Sequence, residues 1–193
     1  ADIKKAIQII NHGHIVKIDT GSVNGRFFVN VAGLGLDAAV AFKTKKNKKR
    51  GFIPYLKQSI IEGLKFKNLD LDIITPQKTW SGSYTMATIA NGSIYGYNFA
   101  IAPTAIVNDG LFDVLLIKKM SLWKYILLLP RFLNKTIHKS KLVEYFKTNE
   151  IKVVLQNDNF YHIDGEGFEV NGFVNFKIQP KNLHIITQVE NQQ

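Results

Sequence analysis

The sequence predicts a mainly β domain: a β-sandwich of many short, mostly antiparallel strands with a few helices. Short runs rich in β-branched and aromatic residues recur from Leu69 onward, and turn chemistry such as Asn91-Gly92, Asn108-Asp109-Gly110 and Asn171-Gly172 separates them, the pattern of sandwiches and barrels. The composition places this in one unit covering 1–193. With 46% hydrophobic and 21% charged residues, the chain can enclose a sizeable core and is no disordered segment.

In chain order, Asp2 is placed to cap a short helix in which Ile3, Ala6, Ile7 and Ile10 recur at helical spacing, with Gly13 as a left-handed stop. The runs HIVKID and RFFVNVA read as strands, and Asn24-Gly25 between them is a strong hairpin signal. Pro54 suits the first turn of a helix striped by Ile53, Leu56, Ile60 and Leu64. Strand runs follow: LDLDII, SYTMATIA, YNFAIAP, LFDVLLI, IKVVLQ, FYHID, FVNFKIQ and LHIITQV. Between the fourth and fifth, Ser121 is placed to cap a helix from Leu122 to Leu129 that is apolar nearly all round and is stopped by Pro130. It is too short to cross a bilayer. Such a helix is either buried against the sheets or offers its surface to an apolar ligand or to lipid.

No apolar run reaches the roughly 18 residues of a membrane span, and the opening ADIKKAIQII lacks the pattern of a signal peptide. There is no cysteine, hence no disulfide, thiolate metal site or Cys nucleophile, and a cytoplasmic setting is expected. Of the net charge of +10, Lys43, Lys45, Lys46, Lys48, Lys49 and Arg50 supply six positives in a stretch without acids. A loop of that density attracts polyanions, nucleic acid or an anionic leaflet alike, or is simply a solvated surface.

Gly33-Leu34-Gly35-Leu36-Asp37-Ala38 fits G-x-G-x-x-A after a strand. A dinucleotide-binding unit, however, needs a helix next and an acid about 20 positions on. Here the chain runs into the lysine stretch, with no carboxylate before Glu62, so close backbone approach at a bend is the better explanation. The five histidines have no zinc-ligand spacing, and G-x-S-x-G is absent. Two acidic turns are more informative. In Asn108-Asp109-Gly110-Leu111, a carboxylate flanked by backbone carbonyls suits a hard cation such as Mg²⁺. In Asp164-Gly165-Glu166, two carboxylates straddle a glycine after a strand, which suits a general base with a partner. Alone, either motif is an ordinary turn.

Together these motifs resemble a known family. The ordered set Asp19 with Gly21, Phe28-Val29-Asn30, Gly33 to Ala38, Asn91-Gly92 with Tyr95-Gly96, Ala102-Pro103 with Ala105, Asn108 to Leu111, and Asp164-Gly165-Glu166 is similar to the C-terminal half of the diacylglycerol kinase catalytic superfamily. That superfamily includes bacterial soluble lipid kinases, sphingosine kinases and ceramide kinase. The resemblance implies a two-domain enzyme: an N-terminal α/β domain holding ATP through G-G-D-G-T, which is absent from this sequence, and a C-terminal β-sandwich for the lipid. It implies Glu166 as general base with Asp164 as its orienting neighbour. It also implies a structural Mg²⁺ on Asp109 and the carbonyls of Ile106 and Leu111, and ATP as co-substrate; the charge density of the lysine stretch suits Lys45, Lys46, Lys48 and Lys49 to peripheral contact with an anionic membrane. Without a phosphate-cradling loop, the chain by itself is expected to be inactive. Partners so implied are a lipid, an anionic membrane and the ATP-binding domain, with no nucleic acid. The alternatives are a non-catalytic polyanion binder and a domain of NAD-kinase type.

Overall fold

A computed structural model describes residues 2–44, 69–96, 99–157 and 159–188. The helix predicted around Ile53 to Leu64 and Lys45, Lys46, Lys48 and Lys49 lie outside the described residues. Helix α1 (Ile3–His12) starts as expected, the Asp2 carboxylate accepting the Lys5 N–H at 3.2 Å. Gly13 does not take the left-handed form. Its φ is −71°, and glycine is needed because a Cβ would run into the carbonyl oxygens of Ile9 and Thr187.

Strands β1 (His14–Val23) and β2 (Arg26–Phe28) form the predicted hairpin. Asn24 at φ 46° and Gly25 at φ 81° make the two-residue turn whose twist suits an antiparallel pair. The run RFFVNVA does not remain one strand. The chain bends at Val29-Asn30 and resumes as β3 (Val31–Gly35), buried along its whole length. Helix α2 (Leu36–Thr44) follows, which the sequence reading did not foresee. Ala38, Ala39, Val40 and Ala41 are all buried, so it has no polar face and no amphipathic period by which to be recognised. It does not make a dinucleotide-binding unit, because β3 is antiparallel to both its neighbours.

The remaining strands are β4 (Leu69–Ile74), β5 (Thr79–Ala90), β6 (Ile94–Gly96), β7 (Phe99–Ala100), β8 (Phe112–Lys118), β9 (Val143–Thr148), β10 (Glu150–Leu155), β11 (Asn159–Ile163), β12 (Glu166–Val170) and β13 (Phe173–Thr187). Eleven of the strands form one curled antiparallel sheet in the order β12-β11-β3-β5-β4-β10-β13-β1-β2, with β8 joining β5 and β9; β6 and β7 pair separately. The predicted fold class is therefore the observed one. FVNFKIQ and LHIITQV are one strand, not two, carried past Pro180 by a bulge: Thr20 faces Gln179 and Ile18 faces Leu183, so Asp19 alone opposes three residues. Strands β6, β9 and β12 were not anticipated.

Strand β8 shows how the core is divided. Phe112, Val114 and Leu116 enter one cluster with Phe28, Ile73, Tyr84 and Phe176, while Leu115 and Ile117 enter a second, as a period of two requires when both faces are covered. The second cluster is closed by α3 (Leu122–Leu133), which contributes Leu128 and Phe132, and by Ile137 of a short 3₁₀ turn. Pro130 does not stop this helix, which runs on to Leu133. The proline is exposed.

Candidate functional site

The Asp164-Gly165-Glu166 turn joins β11 to β12, with Ile163 opposite Glu166. Asp164 at φ 48° and Gly165 at φ 86° again make a left-handed two-residue turn. The Asp164 carboxylate is committed to the main chain. Its Oδ2 accepts the Val29 N–H at 2.8 Å, and its Oδ1 accepts those of Asn30 and Val31, both at 3.0 Å. Its own N–H donates to the Val31 carbonyl at 2.8 Å. These bonds hold the bend between β2 and β3. The Glu166 side chain is exposed and has no hydrogen bond or ion pair among the described residues. One carboxylate holds the loop; the other has no side-chain partner among the described residues.

The asparagine motifs complete the frame. Asn91 and Gly92 both donate their N–H groups to the Asn30 carbonyl, and the Asn30 amide donates to the Ile94 carbonyl at 2.9 Å. A Cβ on Gly92 would collide with Asn30 Oδ1, so any other residue there would push the Asn30 side chain from its place. The buried Asn91 amide donates to the carbonyls of Val29 at 2.8 Å and Asp19 at 2.9 Å. Asp19, fully buried, accepts from the N–H groups of Gly110 and Lys181, each at 2.7 Å. A continuous chain of bonds thus links the Asp164 turn, through Asn91 and Asp19, to the Asp109 turn.

At that second turn Asp109 Oδ1 accepts the Leu111 N–H at 3.0 Å, and Oδ2 meets the Lys147 ammonium at 2.7 Å. Lys147 also pairs with the buried Asp113 at 3.1 Å. Burial opposes the Lys147 charge, but hydrogen bonds to Asp109 and Asp113 outweigh it and hold the ammonium above its ordinary pKa. Burial first, then its hydrogen bond to Asp113 at 2.6 Å, pushes the Tyr145 phenol well above its ordinary value. Among the described residues no three His, Cys, Asp or Glu side chains converge as a metal cluster. The turn itself offers one carboxylate, Asp109, and backbone carbonyls, of which that of Ile106 accepts the Asp109 N–H at 3.4 Å. That set fits a hard ion that keeps several waters. Asp109 Oδ2 already pairs with Lys147, so an ion at this turn would share or displace that ammonium.

One buried group was missed by the sequence reading. Asp37 and the fully buried His162 meet at 3.1 Å; Thr88 donates to the same Asp37 oxygen at 3.2 Å, and Tyr95 Oη lies 3.1 Å from His162 Nε2. Gly33 leaves room for the pair: a Cβ there would lie 2.9 Å from Asp37 Oδ2 and 3.3 Å from His162 Nε2. His162 lies two residues before Asp164, so this network ties the start of α2 to the strand that carries the acidic turn. The only sequence signals were the isolated His162 in a strand and Asp37 following the glycines.

Residues 30–187 match the family model described as the YegS C-terminal NAD kinase beta sandwich-like domain. The chain belongs to this family. Similar curated proteins are the "Probable lipid kinase YegS-like" of Shewanella frigidimarina, 25% identical over 95% of this chain and 60% of that protein, and the "Diacylglycerol kinase" of Bacillus subtilis, 25% identical over 98% and 63%. A solved structure described as a diacylglycerol kinase from Bacillus anthracis superposes with a TM-score of 0.64 at 13% identity, covering 96% of this chain and 58% of that one. The chain thus spans about 60% of the length of the curated relatives it matches. In this YegS-type domain, the stretch matched by the family model includes the Asn30 bend, the Asp109 turn and the Asp164 turn. Among the described residues no helix is long and apolar enough to cross a membrane.

Proposed function

We propose that this domain supplies the lipid-binding face and the general base of an ATP- and Mg²⁺-dependent lipid kinase acting on the hydroxyl of diacylglycerol or a similar amphipathic lipid. The observation that carries the reading is the division of labour in one turn: Asp164 anchored by three backbone N–H groups, Glu166 exposed and unpartnered beside it. Glu166 would accept the proton of the lipid hydroxyl as that oxygen attacks the γ-phosphate of ATP, whose phosphates a separate nucleotide-binding domain would cradle. Mg²⁺ at the Asp109 turn, held by Asp109 and the carbonyls of Ile106 and Leu111, would supply charge neutralisation and stiffen the turn. The names of the relatives support the lipid-kinase reading. In the active enzyme, Glu166→Gln should lower kcat by about 10²–10⁴, as for the loss of a general base, with ATP affinity nearly unchanged. Near-native kcat in that variant removes Glu166 from the role.

A further inference from the structure

We infer that α3 is an interfacial docking helix that lays its outer face into an anionic membrane. At about 100° per residue, the helix has two apolar faces. The inner one is satisfied: Leu128 and Phe132 are buried, Phe132 stacks on Phe99 with ring centroids 4.4 Å apart, and Tyr125 bonds to Thr85. The outer one has no cover. Trp123, Ile126, Leu127 and Leu133 are 60%, 64%, 54% and 55% exposed, a contiguous surface that costs solubility unless something occupies it.

The surrounding charge identifies the occupant. Residues 119–142 contain Lys119, Lys124, Arg131, Lys135, Lys139 and Lys141 and no acid at all, and none of the six has an ionic partner among the described residues. Lys124 and Arg131, seven apart and so on the same side of the helix, line one edge of the outer face, and the Lys124 ammonium lies 5.6 Å from the Trp123 ring centre. An uncovered apolar face with a basic border and an exposed tryptophan is complementary to an anionic lipid surface, where the amphipathic indole sits at headgroup depth and cations meet phosphates. The 12 residues of α3 are too few to span, so the helix lies in the plane of the interface.

This inference deepens the lipid-kinase reading and rests on it for its purpose, but its test is independent of catalysis. Trp80→Phe leaves Trp123 as the sole indole of the two in the chain. With phosphatidylcholine vesicles containing about one-third phosphatidylglycerol, its emission should shift to the blue and be quenched by brominated acyl chains. Without phosphatidylglycerol, binding should fall at least about tenfold. Exchanging both exposed Ile126 and Leu127 for serine should weaken vesicle co-sedimentation about tenfold or more while leaving the unfolding midpoint unchanged. Unquenched Trp123 on vesicle-bound protein, or undiminished binding of the double variant, overturns the inference and transfers the contact to another surface. Failure of the kinase reading has a different signature: no phosphate transfer to a water-soluble short-chain diacylglycerol by the enzyme that joins this domain to its nucleotide-binding domain, whatever the vesicles show.

Discussion

If Asp164 is the anchor of the site, removing its charge without changing its shape should loosen the bend at Val29–Val31 and little else. Asp164→Asn keeps a side chain that tolerates the left-handed φ of 48°. Its one remaining oxygen accepts the Asn30 and Val31 N–H groups, while its new NH₂ faces the Val29 N–H, donor against donor. Hydrogen bonds to a charged acceptor contribute about 1.5–3 kcal/mol against about 0.5–1.5 for neutral ones. The two surviving bonds each lose up to about 1 kcal/mol, discounted for partial exposure, and the exposed Val29 N–H returns to water. The expected loss is about 2 kcal/mol, or about 4–8 °C in Tm for a domain of this size. Asp164→Gly loses all three bonds but relieves the backbone, and Asp164→Ala loses the bonds and adds the left-handed penalty of about 1 kcal/mol or more. The order of damage should be Ala, then Gly, then Asn. Urea unfolding followed through Trp80, which stacks on Phe146 at 4.2 Å, gives the midpoint and the slope together. Glu166→Gln should leave the midpoint in place because that side chain has no partner to lose. An Asp164→Asn midpoint within about 0.5 kcal/mol of the parent at the same slope would refute the anchoring role.

Three further outcomes are expected. Asp109→Ala should diminish the Mg²⁺-induced rise in Tm, since it removes the one charged ligand; equal shifts in parent and variant would exclude the turn as the ion's site. Gly33→Ala should cost about 1–3 kcal/mol or more, because the new Cβ would sit 2.8 Å from the Ala87 carbonyl and 2.9 Å from Asp37; unchanged urea stability would mean that β3 has room to spare. Lys147 and Tyr145 both titrate higher in the folded protein than their ordinary 10.5 and 10.0, so their stabilising contribution is complete below those unfolded values and is lost as pH rises through the folded ones. Stability should therefore hold to near pH 10 and fall beyond it, less steeply in Tyr145→Phe, as measured by urea midpoints across alkaline pH.

Local chemistry alone determined much of this protein. Asn24-Gly25 and Asp164-Gly165 specify tight hairpins because few residues tolerate left-handed backbone, and the β-branched runs specify strands because their periodicity is a property of adjacent residues. The acidic turns were legible as candidates on the same terms. What the sequence could not decide was every outcome that depends on a distant partner. Whether RFFVNVA stays straight depends on a carboxylate some 135 residues away, and whether β13 continues past Pro180 depends on Asp19 filling the bulge opposite. Helix α2 has no polar face to reveal it, and α3 reads the same whether both its faces are buried or only one. The Asp37–His162 pair exists only because β3 and β11 lie side by side. Turn and strand propensities act over a few residues and are written in order along the chain. Burial, charge pairing and the commitment of one carboxylate while its neighbour stays free are long-range properties, and only the tertiary fold assigns them.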